Sequence, residues 1–335
     1  MKNSHKTIIE HLPGYLDYME IEQGLSSKTL ENYSRFLNKF SNWLKKSNLK
    51  NLRPHELNSD HIYKYKTFLA RADSSEKHAS PAGGSPTLLR RQSGPLMKTT
   101  QNYYLIALRN LLKYFADKDI NALPADKIKL LRDKSDKQIK FLKLGQIDVL
   151  LSSPDTGDIS GLRDKAILET LFSTGLRVAE LTALDREQLK IKKDSEYLEI
   201  AIKGKGGRIR TIYFSSRAVE ALKRYLNARN DMDKALFISY SKNALKNENK
   251  RLSVRSVENI VKKYLKLAGL PVMMSPHSLR HSYATDLLSN GVDLRLVQEF
   301  LGHRNIATTQ IYTHVTNKEL RDVHKKFHGG NKLKN

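Results

Sequence analysis

The chain has 335 residues, 39% of them hydrophobic, enough for two ordinary domains with real cores and too much for a disordered protein. It has no cysteine, which excludes disulfides, thiolate metal sites and cysteine nucleophiles. The formal net charge of +24 is spread along the chain, which points to an extended polyanionic partner such as DNA or RNA rather than to a basic tail.

The first third reads as helices. A segment over about 6 to 23 makes the first, with Pro13-Gly14 expected to disturb its first half. Ser26 or Ser27 can cap the second, whose Leu30, Tyr33, Leu37, Phe40 and Leu44 recur at three- and four-residue steps and so share a face. Asn58 or Asp60 opens the third, with Ile62, Tyr65, Phe68 and Leu69. Thr99 or Thr100 opens the fourth, with Tyr104, Leu108, Leu111, Leu112 and Phe115. These form one helical bundle over 5–118, interrupted at about 73–95 by a stretch rich in Gly, Pro and Ser that resists helix and strand. Residues 119–140 are rich in Lys and Asp and are expected to be an exposed interdomain linker.

A second domain follows over 141–335. Leu162, Ile167, Leu168, Leu171 and Phe172 predict a helix that stops near Gly175. Leu198, Ile200 and Ile202 alternate as a strand, Lys203-Gly204-Lys205-Gly206-Gly207 turns, and residues 208 to 214 return as a second strand. Ser275-Pro276 starts another helix and Asn290-Gly291 ends it; Asp293 starts the next, which stops at Gly302. Leu279, Tyr283 and Leu287 are expected on the buried side of the first of these two. The fold class is therefore mainly α with a small antiparallel sheet. No run approaches the roughly 18 apolar residues of a membrane span, so a soluble, cytoplasmic protein is expected.

Several residues could do chemistry at a phosphodiester. Transfer at phosphorus needs fixed cations for its non-bridging oxygens, a hydroxyl nucleophile and a proton donor for the leaving oxygen. Taken singly, each candidate has an ordinary explanation. Arg177 could be a surface arginine paired with Glu180 or Asp185. His277 and Arg280 share a helical face and could be a helix-start histidine with a solvated arginine, while His281 lies about 100° round the helix and reads as structural. His303 could satisfy the last carbonyls of the preceding helix. Lys205 stands at the tip of a glycine-rich turn, where lysines are usually solvated, and no P-loop continuation follows it. Tyr312 is one tyrosine among 15.

Their order and local contexts together carry more. The blocks Thr174-Gly-Leu-Arg177-Val-Ala-Glu180-Leu, Gly204-Lys205-Gly206, His277-Ser-Leu-Arg280-His-Ser, Leu301-Gly-His303 and Thr309-Gln-Ile-Tyr312-Thr-His-Val make the chain resemble the tyrosine recombinase, or phage integrase, family over nearly its whole length. Residues 291–303 and 312–324 look most like the Xer recombinases, which resolve chromosome dimers. Departures from that pattern are the 73–95 stretch, Asp286 where histidine is common, Arg304-Asn305 after the Gly-His pair, and the ending Phe327-His328-Gly329-Gly330.

The resemblance implies a SAM-like core-DNA-binding bundle followed by a catalytic domain. It implies Tyr312 as nucleophile, forming a 3′-phosphotyrosyl bond, with Arg177 and Arg280 gripping the phosphate. Lys205 would protonate the leaving 5′ oxygen, His277 would assist at the tyrosine and His303 would hydrogen-bond the phosphate. No cofactor or metal is implied. The implied partners are double-stranded recombination sites, a homo- or hetero-tetramer on synapsed DNA exchanging a helix after Thr316, and a septum DNA translocase. An integrase or invertase of a mobile element shares every one of these residues, a type IB topoisomerase uses similar chemistry, and a non-catalytic DNA-binding protein could keep the fold.

Overall fold

The computed structural model describes residues 1–72, 95–132, 141–191, 195–204, 207–241, 250–303, 305 and 309. The expected insertion, Lys205, Tyr312 and the expected exchange helix after Thr316 therefore lie outside the described residues, save Gly94's neighbour Pro95 at the insertion's end. The described chain is mainly helical with one two-stranded antiparallel sheet. It divides into two units, residues 1–136 and 137–335.

In the first unit the helical signals act as read. Helix α1 (Ile8–Ile21) begins with a reciprocal cap, the Glu10 N–H donating to Thr7 Oγ1 at 3.2 Å and the Thr7 N–H to Glu10 Oε2 at 2.7 Å. Contrary to expectation, Pro13 does not break it; burial of Ile8, Tyr15 and Met19 against the core holds the helix across the hydrogen bond that proline cannot donate. Helices α2 (Ser27–Lys46) and α3 (Ser59–Arg71) follow, α3 capped by the Asn58 side chain. Helix α4 (Lys98–Asp117) starts after Met97, earlier than Thr99 or Thr100. Its Leu105, Leu108, Leu111 and Phe115 are fully buried. Phe40, Trp43 and Tyr65 stack at its side, Phe40 and Tyr65 edge-on at 4.8 Å between ring centres.

The stretch expected as linker is not all exposed. Ile128 is fully buried in this core, and Ile120, Leu123, Leu130 and Leu131 pack half-buried against the same core. A low overall hydrophobic count hid a few well-placed apolar residues. The beginning of the chain is tied here too: the Lys2 N–H donates to Asp119 O at 2.7 Å and the Asn121 N–H to Lys2 O at 2.9 Å.

The second unit is built round α6 (Ile159–Thr174), which is buried on most sides. Such a helix must pair its polar groups. Arg163 donates to Asp164 at 2.6 Å, and the Tyr264 hydroxyl donates to the other Asp164 oxygen at 3.0 Å. Helix α5 (Leu144–Ser152) precedes α6 and the short α7 (Val178–Ala183) follows it. Strands β1 (Leu198–Lys203) and β2 (Ile209–Phe214) pair from Leu198↔Phe214 to Lys203↔Ile209 and turn Ile200, Ile202, Ile212 and Phe214 to the core. Then come α8 (Ser216–Asn227), α9 (Val254–Leu267), α10 (Pro276–Ser289) and α11 (Leu294–Leu301). Helix α10 buries Leu279 as expected, and Tyr283 and Leu287 pack half-buried against a core in which Ala284 and Leu288 lie deeper.

Gly175 ends α6 in the left-handed conformation, at φ +59°. A Cβ there would sit 2.5 Å from Cδ1 of Tyr283 on α10. Gly175→Ala combines left-handed strain with overpacking and is expected to destabilise the second unit by about 2–4 kcal/mol. Urea unfolding measures it; an unchanged midpoint would mean that the Tyr283 ring moves aside freely.

A cationic site between helix ends

Four of the six candidates lie among the described residues, and the structure brings them together. Arg280 is 2% exposed on α10, neither solvated nor at the surface. Its Nη1 donates to Gly175 O and its Nη2 to Leu301 O, both at 2.6 Å. Those carbonyls end α6 and α11, so one guanidinium fork joins two helix C-termini where partial negative charge collects. Arg177 stands two residues beyond Gly175 and His303 two beyond Leu301. Clamping the two helix ends thus places both residues at the same site.

Arg177 is the N-cap of α7. It pairs with Glu180, as the ordinary explanation would have it: its N–H donates to Oε2 at 2.9 Å and its Nη1 to Oε1 at 3.0 Å. The same carboxylate is shared. Arg210 of β2 donates to it through Nη1 at 3.1 Å and Nη2 at 2.8 Å. Burial pushes the Glu180 carboxyl up, but the hydrogen bonds and charges of Arg210 and Arg177 outweigh it and hold the group down at about 2. One buried anion between two arginines leaves the cluster cationic.

His277 begins α10 and faces His281 one turn on, ring centres 6.1 Å apart. His303 engages Thr309 Oγ1 through Nδ1 at 2.9 Å, and its carbonyl accepts from Gln298 Nε2 at 3.0 Å. All three histidines are pushed below the ordinary 6.5, first by burial and then by neighbouring cations. For His277 and His303 alike these include Arg280 and Arg177. Both arginines therefore act on His277 and on His303. An open cleft of about 950 Å³ borders the site, lined by Arg208, Arg210, Arg295, Gly302 and His303 among others.

The depressed histidines have a consequence for stability. His281 and His303 lie at about 4 in the folded chain, against 6.5 ordinarily. Between those values the unfolded chain binds more protons than the folded one, so stability rises with pH there. Stability should therefore fall as pH drops from about 6.5, the loss being complete near 4. Melting temperatures between pH 7.5 and 4.5 check this, and His281→Gln should flatten part of the slope. Equal slopes in the two proteins would refute the assignment to His281.

Arg210 and the tie it makes to Glu180 were not found by sequence reasoning. A signal existed: Arg210 shares the inward face of β2 with Ile212 and Phe214, and an arginine in an apolar alternation demands a buried partner. Lys205 and Tyr312 lie outside the described residues. No helix among the described residues is long and apolar enough to cross a membrane.

Residues 140–319 match the model of the phage integrase family, and residues 12–119 match the phage integrase N-terminal SAM-like domain. The chain is 33% identical to tyrosine recombinase XerC of Thermodesulfovibrio yellowstonii, covering 95% of this chain and 96% of that relative. It is 32% identical to tyrosine recombinase XerD of Staphylococcus epidermidis, covering 96% and 98%. Among solved structures, the fold is similar to that of the XerH site-specific recombinase in its pre-cleavage complex with difH, with TM-score 0.67, 20% identity and 96% of each chain covered. It is also similar to the Tn1549 transposon integrase with transposon right-end DNA, with TM-score 0.68, 17% identity, 96% of this chain and 99% of that one.

Proposed function

The chain belongs to the phage integrase family, the tyrosine recombinases, and on that footing we propose that it is an Xer-type site-specific recombinase acting on dimers of circular chromosomes or plasmids. The observation that carries the reading is the Arg280 clamp, which ties together the two helix ends that Arg177 and His303 follow, on the helix that carries His277.

In this reading Tyr312 attacks the scissile phosphorus and expels the 5′ oxygen. A 3′-phosphotyrosyl bond forms as the P–O5′ bond breaks. His277 takes up the tyrosine proton and Lys205 gives one to the leaving oxygen. Arg177 and Arg280 stabilise the charge that spreads over the non-bridging oxygens in the transition state. His303, largely neutral near pH 7, adds a hydrogen bond rather than a third charge. The ester conserves the energy of the bond, and a 5′ hydroxyl from the partner strand reverses the step without ATP.

The +24 charge supplies phosphate contacts and a steep salt dependence. Four subunits, of this chain or of this chain and a related one, would act in the cytoplasm on two synapsed sites, trading the segment after Thr316, whose Leu320, Val323 and Phe327 fall at helical steps. A septum translocase would regulate them. A mobile-element integrase has the same chemistry. Similarity to XerC and XerD across about 95% of the chain favours the Xer role.

Cleavage of nicked duplex substrates in EDTA tests the chemistry. Covalent protein–DNA adducts should form at an undiminished rate without divalent metal. A strict magnesium requirement would overturn this mechanism.

A further inference from the structure

Arg210 packs against the residues before Lys205 and His303 and grips the carboxylate that holds Arg177, and the mechanism above gives it no role. Its guanidinium lies under the start of the hairpin turn: a Cβ on Gly204, the residue before Lys205, would sit 2.9 Å from Nη1. Its stem lies against the end of α11: a Cβ on Gly302, the residue before His303, would sit 2.9 Å from Cδ. Both Nη atoms grip Glu180, which holds Arg177 by two further bonds. Its side chain is 11% exposed and its Nε is buried with no hydrogen-bond partner among the described residues.

An arginine taken this far from water costs stability that its single ion pair with a shared carboxylate need not return. A better-packed apolar residue could fill the space. The fork geometry, by contrast, does something only arginine can do. It fixes both carboxylate oxygens of Glu180 in one plane and leaves each of them facing a group of Arg177.

We propose that Arg210 is a positioning residue, orienting Arg177 through Glu180 and fixing, by its contact with Gly204 and Gly302, the backbone that leads into Lys205 and His303. The proposal rests on the recombinase reading for its effect on rate, and on the geometry alone for its effect on Arg177. Small misplacements of a group that grips a transition state are costly, up to about 100-fold for 1 Å.

The test uses the full-length chain, with Arg210→Met, Glu180→Gln, the double variant and Arg210→Lys. Single-turnover adduct formation on nicked DNA should fall about 100-fold in Arg210→Met, with DNA affinity changed less than about threefold. Arg210→Lys should recover about a tenth of the wild-type rate, since it keeps the charge and loses the fork. In the Glu180→Gln background, adding Arg210→Met should cost little more, because both act through one contact. Additive losses, or a loss that follows melting temperature in all four variants, would overturn the proposal.

A second readout does not need cleavage. In isotope-labelled protein the Arg177 Nε–H resonance should be sharp in the wild type and broadened or shifted in Arg210→Met. An unchanged Arg177 signal overturns the proposal even if rates fall. If the wild type itself forms no adduct, the recombinase reading fails, and this resonance alone decides whether Arg210 orders Arg177.

Discussion

Tyr312→Phe is expected to abolish the covalent protein–DNA adduct while leaving the affinity for DNA within about threefold of wild type. The substitution removes one oxygen and keeps the ring and the net charge. A chain without its nucleophile has no second route to a phosphotyrosyl ester, and the loss should exceed about 10⁴-fold, to the limit of detection. A covalent-adduct map across a genome is the measurement, with Tyr312→Phe beside wild type. Adducts near the replication terminus would support dimer resolution; adducts at the ends of an inserted element would make the protein an integrase. Adducts that persist in Tyr312→Phe would move the nucleophile to another of the 15 tyrosines. If neither protein gives adducts, the fold serves DNA binding alone.

Arg280→Met should lose both rate and stability. The two carbonyls that Arg280 holds, Gly175 O and Leu301 O, are left without their charged donor in a buried place, at about 1–3 kcal/mol each. Removing a charged donor from the transition state costs about 10²–10³ in rate. Arg280→Lys keeps a cation but cannot bridge two carbonyls in one plane, so it should restore part of the stability and little of the rate. Thermal melts and single-turnover cleavage on the same preparations separate the two effects. A Met variant that melts with the wild type would refute the clamp. One that cleaves within about tenfold of it would remove Arg280 from the phosphate.

Much of this was legible before any coordinates. Helix ends were marked by residues with a mechanical reason to be there: Asn58 as a cap, Gly175 and Gly302 as left-handed stops, Pro276 at a first position. The strand alternation at 198–202 gave the buried face of β1 directly. What failed was whatever depended on how elements pack. On α10 the expected face was right only in part, Leu279 being fully buried but Ala284 and Leu288 lying deeper than Tyr283 and Leu287, because buried Ser278, Ser282 and Thr285 interrupt the apolar stripe. Pro13 was given its intrinsic effect without the packing that overrides it.

At the site, the candidate residues could be named, but not what holds them. Arg280 could be read as a phosphate ligand or as a solvated cation. It is buried between two carbonyls, and that follows only from two glycine-ended helices meeting. Glu180 was noted as a partner for Arg177, whereas its second and stronger attachment crosses 30 residues to Arg210, a distance no local pattern spans.

One small feature of the first unit bears on engineering. The pairing of Lys2 with Asp119 and Asn121 brings the start of the chain beside the residues that lead out of the bundle. A cut that keeps this unit whole belongs after the packed Ile128 rather than at the last residue of α4. Chimaeras that transplant residues 1–132 as one block should fold, whereas a junction at 118 would strip the core of its lid and cut the tether at the amino terminus. The boundary that keeps the unit intact is therefore set in part by a backbone ladder at residue 2, more than a hundred positions away from the seam.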